Sequence, residues 1–156
     1  FREFMHLMEV EQQISCLKSI RRHLLPAGRL ILNVYDVDLV TLVNTRQGLD
    51  PVIVRQTGGD YTDPETGHRV LLSAASRYDP LKQALFEERF YDRVDPEGRV
   101  VERRSLQLSQ RWFFRWEMVH LLARTGFHVE QLLGGYFGER YAGLGQEMIF
   151  VARPGR

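Results

Sequence analysis

Residues 29–35 read Arg-Leu-Ile-Leu-Asn-Val-Tyr, a short and nearly continuous apolar run set between the break at Pro26–Gly28 and Asp36. A strand with one wet face alternates polar and apolar side chains. A run without that alternation suits a strand buried on both faces, as in a parallel α/β sheet. Such a strand needs helices to cover it, and the residues before it provide one. Over residues 9–24, Val10, Ile14, Leu17, Ile20 and Leu24 recur at three- and four-residue steps and so share one helical face. Glu9 and Glu11 open the segment and Lys18, Arg21 and Arg22 close it, the order that suits the helix dipole. Pro26 with Ala27-Gly28 ends it. After the strand, Asp36 can cap a short helix over residues 37–45.

Residues 52–112 behave differently: strands and turns, with no convincing helix. Asp63-Pro64-Glu65-Thr66-Gly67 and Asp95-Pro96-Glu97-Gly98 are turn sequences, in which proline presets one dihedral and glycine accepts a positive one. Their flanks alternate. Ala84, Phe86 and Phe90 share one side, with Leu85, Glu87, Arg89, Tyr91 and Arg93 opposite. Beyond the second turn, Val100, Leu106, Leu108 and Trp112 fall on one side and Val101, Arg103, Ser105, Gln107, Ser109 and Arg111 on the other. The pattern predicts a half-buried antiparallel sheet, apolar beneath and polar above. Residues 114–125 return to helix, with Met118, Leu121 and Leu122 inward and Gly126 at the C-cap. Residues 127–133 and 147–152 read as strands joined by a glycine-rich loop over 134–145, a spacing compatible with an antiparallel hairpin.

Composition excludes several classes. The chain has 156 residues, enough for one domain with a hydrophobic core, at 44% hydrophobic, 26% charged and net charge +1. Arg21-Arg22 and Arg103-Arg104 are too short for a nucleic-acid footprint, and near-zero net charge gives no long-range pull on an acidic polymer, so no nucleic-acid partner is expected. The single cysteine, Cys16, rules out an intrachain disulfide and any multi-cysteine metal site, and suits a small buried hydrophobe on the first helix. It fits a reducing, cytoplasmic setting. There is no run of 18 apolar residues and no secretory start, so no membrane partner is expected. The five histidines show no metal spacing. The opening cluster Phe1, Phe4, Met5, Leu7 and Met8 reads as a cut through a larger domain.

Three stretches carry a family resemblance. The first is Phe4-Met5-His6-Leu7, then a helix, then the run from Arg22-His23-Leu24-Leu25-Pro26-Ala27-Gly28 into Leu30-Ile31-Leu32. The second is Glu117-Met118-Val119-His120-Leu121-Leu122-Ala123-Arg124-Thr125-Gly126-Phe127. The third is Glu147-Met148-Ile149-Phe150-Val151-Ala152-Arg153-Pro154. In order and spacing they resemble the back half of class I S-adenosylmethionine-dependent methyltransferases: the loop after the fourth strand, the "L-x-P-G-G-x-L-I-L" lead into the fifth, the "E-x-x-x-L-L-x-x-A-G-F" helix and sixth strand, and the closing antiparallel strand. Ala27 stands where the family has its first glycine. The fold class implied is α/β, a partial Rossmann-like methyltransferase sheet with an inserted antiparallel β-sheet. Residues 1–156 would form one domain, the C-terminal part of the fold, and residues 52–112 its substrate-side cap.

The resemblance implies methyl transfer from S-adenosylmethionine to a small polar molecule by the complete protein, this chain supplying the substrate-side half. The family's G-x-G-x-G loop is not matched, since Gly134, Gly135, Gly138, Gly143 and Gly145 do not lie between a strand and a helix. Cofactor binding and activity by this chain alone are therefore expected to be weak or absent. By resemblance Phe4 and His6 would lie beside the cofactor's sulfonium, with His6 a candidate base. The plain reading of His6 is a ring packed at the start of a helix. Tyr35 ends the buried strand, where ligands of such sheets gather, or is simple core packing. The insert's polar face, with Arg77, Tyr91, Arg103 and Arg111, can roof a site for an anionic or strongly polar substrate, or be a solvated surface. Trp112, Phe113, Phe114 and Trp116 read first as the core contact between insert and main sheet.

Two rivals remain at this level: a non-catalytic α+β ligand-binding module, and a remnant that dimerises. A sheet cut at its centre would expose the edge of residues 30–35, and such an edge seeks a partner, so a homo-oligomer is expected.

Overall fold

The computed structural model describes residues 2–36, 52–55, 59–143 and 147–155. A 3-10 turn, Glu3–His6, leads into α1 (Val10–His23). Its start carries a capping box, Glu9 with Gln12, and its last turn holds Arg21, Arg22 and His23. The chain then enters β1 (Leu30–Tyr35). The helix expected over residues 37–45 lies outside the described residues.

The next strands are β2 (Val52–Arg55), β3 (Tyr61–Thr62), β4 (Arg69–Asp79), β5 (Ala84–Val94) and β6 (Val100–Arg111). They form one antiparallel sheet in the order β2-β4-β5-β6, with β3 also on β4. Both turn sequences work as expected: Gly67 and Gly98 adopt φ of +69° and +82°. The chain returns through α2 (Arg115–Arg124), β7 (Phe127–Leu133) and β8 (Glu147–Pro154). Gly126, just past α2, has φ +83°.

β8 lies between β1 and β7 and is antiparallel to both, so β1 and β7 run parallel on either side of it. One face of this small sheet presents Leu30, Val34, Met148, Phe150 and Ala152, which bury against Leu17 of α1 and Met118, Leu121 and Leu122 of α2. Fully burying each large apolar side chain contributes roughly 1.5–3 kcal/mol, so this layer holds the body together. Cys16 packs at its margin, and burial pushes its thiol pKa up.

Three expectations need correcting. β1 is covered on one face, not two: Ile31 on the other face is 69% exposed, because both helices among the described residues lie on the same side. The insert does not separate an apolar face from a polar one. Its register pairs Phe86 with Ser109 and Phe90 with Ser105, while Leu106 and Leu108 sit opposite Arg89 and Glu87. Alternation holds strand by strand, but only the register decides which sides align. Lastly, the aromatic cluster divides: Trp112 and Phe113 are buried, whereas Phe114 and Trp116 are 43% and 61% exposed.

Candidate active site

The insert joins the body at the carboxyl end of β1. Asp36 and Phe113 form an isolated parallel bridge there. Phe113 is fully buried, with its ring 5.6 Å from that of Phe4. The Trp112 ring lies tilted 5.4 Å from that of Tyr78, and the Trp112 backbone N–H donates to the Gln83 carbonyl at 2.8 Å. Arg111 completes the neck: its NH2 group donates to Gln83 Oε1 and Glu117 Oε1, each at 3.1 Å. Ligands of α/β sheets gather at strand carboxyl ends, and three polar groupings surround this one.

The first is His6. Its Nδ1 lies 2.9 Å from the Ser109 carbonyl oxygen of β6. A carbonyl only accepts, so Nδ1 carries the proton of that bond, and the neutral ring then keeps its lone pair on Nε2. His6 is an exposed residue.

The second is built on Tyr35 and Asn33, one face of β1. The Arg2 guanidinium sits 4.9 Å from the centre of the Tyr35 ring and donates through Nε to Glu147 Oε1 at 2.8 Å. Asn33 Oδ1 accepts from the Arg2 backbone at 3.2 Å, while its Nδ2 donates to Glu147 Oε2 at 3.1 Å and to the Tyr136 hydroxyl at 2.8 Å. The third lies on the opposite face. Buried Asp36 accepts from the Tyr141 hydroxyl at 2.8 Å. Burial, then the hydrogen bond and charge of Asp36, push the Tyr141 pKa up to about 12 against the pull of Arg115. Tyr141 therefore stays protonated and is the donor in that pair.

The sequence-derived candidates are only partly united. His6 and Tyr35 belong to segments that meet at the end of β1. Phe4 sits nearby, but its ring is 5% exposed and lies in the core. Arg77, Arg103 and Arg111 share one face of the insert, whereas Tyr91, paired with Arg104, points to the other. Two of those three cations are already neutralised: Arg103 donates to Asp92 through Nε and one NH2 group, at 2.6 and 2.7 Å, and Arg111 holds Glu117. Arg77 stacks over Phe86 at 4.9 Å. The anionic preference expected from three free arginines therefore shrinks to Arg77. Sequence reasoning missed Arg2, Asn33, Glu147, Tyr136 and Tyr141. For the two tyrosines the signal was their place in a loop between strands, where binding residues concentrate.

The donor nucleotide's cradle does not fit the residues described. Such a cradle needs glycines between a strand and the helix that follows it. Here Gly126 lies between a helix and a strand, and Gly134, Gly135, Gly138 and Gly143 lie in the connection between β7 and β8. Among the described residues no group of three His, Cys, Asp or Glu is placed to hold a metal, and no helix is long and apolar enough to cross a membrane.

No family model and no curated protein matches the chain. Solved structures do. The chain is similar to the CcbJ methyltransferase from Streptomyces caelestis, at 16% identity and TM-score 0.74, over 99% of this chain and 58% of that one. It is similar to an S-adenosylmethionine-dependent methyltransferase from Clostridium acetobutylicum, at 12% identity and TM-score 0.73, over 100% of this chain and 56% of that one. SAM-bound CalS10, an amino pentose methyltransferase from Micromonospora echinaspora, aligns at 19% identity and TM-score 0.65, over 99% and 55%. The chain thus spans little more than half the length of these proteins. Its fold is that of the class I S-adenosylmethionine-dependent methyltransferases.

Proposed function

We propose that the complete protein transfers a methyl group from S-adenosylmethionine to a small polar acceptor, and that this chain provides the acceptor side of the site. The observation that carries this reading is the His6–Ser109 hydrogen bond, which leaves Nε2 as a proton acceptor at the carboxyl end of β1. The donor supplies an electrophilic methyl group. What a protein adds is alignment of the acceptor and removal of its proton. In this reading His6 takes that proton, while Phe4, two residues before it, packs in the core against Phe113. Tyr35, held under Arg2, forms one wall, and Arg77 lies on the insert above. The Asp36–Tyr141 pair orients the acceptor's polar groups. An amino pentose, the acceptor class named for CalS10, is a reasonable first probe.

The donor's nucleotide end would be held outside the described residues. Calorimetric titration of the complete protein with S-adenosylmethionine is expected to give a saturable isotherm, and residues 1–156 alone none. Absence of binding by the complete protein overturns the proposal. Reading the coding sequence upstream gives a cheaper test: a strand followed by G-x-G-x-G is expected about a hundred residues before Phe1.

Taken alone, the chain leaves β1 paired only with β8 among the described residues and Ile31 uncovered. Such an edge favours self-association. Light scattering that finds a stable monomer at micromolar concentration would rule this out.

A further inference from the structure

α1 and α2 both end at the side of the small sheet away from the candidate active site, since each leads into the start of a strand, β1 and β7. Between their last turns lies a hollow of about 540 Å³ lined by Lys18, Arg21 and Arg22 of α1 and by Arg124, Thr125 and Gly126 at the end of α2. Among the described residues no acidic side chain lines it. Elsewhere in the described chain arginines typically hold a carboxylate, as Arg29 holds Glu130, Arg69 holds Asp60 and Arg103 holds Asp92. Among the described residues Lys18, Arg22 and Arg124 form no such pair.

Arg21 is held in place. Its Nε donates to the Gly126 carbonyl at 3.0 Å and its NH2 group to that of Gly155 at 3.4 Å. A Cβ on Gly126 would stand 2.8 Å from Arg21 Nε, so this approach depends on glycine. One wall of the hollow is thus a guanidinium with its position set by backbone atoms, and the other cations line the same hollow.

The simplest competing account is that these bases only neutralise two helix C-termini. The charges do not balance. Each C-terminus carries about half a negative charge, roughly one in all, against four full positive charges from Lys18, Arg21, Arg22 and Arg124. A net positive hollow remains, with guanidinium forks whose geometry matches phosphate oxygens.

We propose that this hollow is a binding site for a phosphoryl-bearing anion, separate from the candidate active site. The ligand class is set by three guanidinium groups around one opening, with no acid among the described lining residues. A soluble phosphorylated metabolite and an anionic lipid headgroup share that chemistry.

Isothermal titration of the full chain with inorganic pyrophosphate tests the site. Saturable binding that weakens with added salt is expected. Arg22→Gln and Arg124→Gln each remove a charge-assisted contact at an exposed position and should lower affinity on the order of tenfold apiece. Lys82→Gln, at an exposed position in the insert, should leave it unchanged. Non-saturating heats, or equal binding by an Arg22→Gln/Arg124→Gln double variant, overturn the proposal. Sedimentation with phosphatidylglycerol and phosphatidylcholine vesicles identifies the source. Retention on the anionic vesicles alone, lost in the double variant, assigns a lipid headgroup. Pyrophosphate binding without vesicle retention assigns a soluble ligand. Retention that the double variant keeps counts against the site. None of these outcomes depends on methyl transfer.

Discussion

The small sheet and the insert are both antiparallel β-structure, yet they are held by different forces. In the small sheet, Val34, Met148 and Phe150 meet Leu17, Met118 and Leu122, and none of the six has measurable exposure. The insert's three long strands bury only Val70, Ala74, Ala84 and Val94 among their apolar residues, while Val100, Val101 and Leu106 are each more than half exposed. Cross-strand polar pairs line it instead: Arg93 with Glu102, Arg103 with Asp92, and Ser76 with Glu87 at 3.0 Å. Apolar burial specifies the body. Register and paired charge specify the insert, and the neck at Arg111–Phe113 must transmit order from one to the other.

The contrast is most exposed to a paired substitution. Phe150→Ala should cost about 3–5 kcal/mol of stability by leaving a cavity in the densest layer. Leu106→Ala, at a position 51% exposed, should stay within about 0.5 kcal/mol. Denaturant unfolding measures both. Comparable losses would show that the insert is held by burial too, and would end the distinction.

The neck comes next in size. The Arg111 side chain is 14% exposed and joins β6 to α2 through Glu117 and to the turn before β5 through Gln83, but its Nε finds no partner among the described residues. An imperfectly satisfied pair of this kind holds geometry more than it adds stability. Arg111→Ala should cost about 2 kcal/mol, less than a fully buried pair would because solvent reaches both partners. Hydrogen exchange should show where: amides of β5 and β6 near the neck should exchange faster, and those of α1 should not change. Uniform acceleration across both regions would mean that the neck is not a separate joint.

Much of this division is legible in the sequence. The apolar period of residues 9–24 and the turn glycines at 67 and 98 fix α1 and the hairpins, because each depends on neighbours along the chain. The nearly continuous apolar run of residues 30–35 locates β1 but not its cover. A run tells that both faces are apolar, not whether the covering layer is present in the same chain. Register was not legible either, since alternation assigns sides within a strand and leaves the offset between strands free. That offset moved Tyr91 away from the arginines and gave Arg103 to Asp92. The candidate site was half legible. His6 and Tyr35 stand out at segment ends, but the bond that fixes the His6 tautomer joins residues 6 and 109. No spacing rule reaches so far. The basic hollow is a similar case, with Arg21-Arg22 visible as a dipeptide and Arg124 added only by folding.

Acid should separate the two regions with the smallest perturbation. Among the described residues, the carboxyl groups held below their ordinary range are mostly in the insert: Asp63, Asp92, Asp95 and Glu102, against Glu3 and Glu130 outside it. For Asp92 the leading cause is its hydrogen bond to Arg103, opposed by desolvation. A depressed pKa in the folded state means that the unfolded chain binds the proton more readily. The stabilisation is therefore present above the unfolded value of about 3.9 and is lost as pH falls through the lower folded value. The insert should loosen first on acidification below about pH 4, seen as faster exchange in β5 and β6 while α1 and β8 stay protected. Asp92→Asn removes one of these groups and should flatten that dependence without moving the behaviour of the body. If the body loosens at the same pH as the insert, or the Asn variant keeps the full dependence, paired charge is not what holds the insert in register.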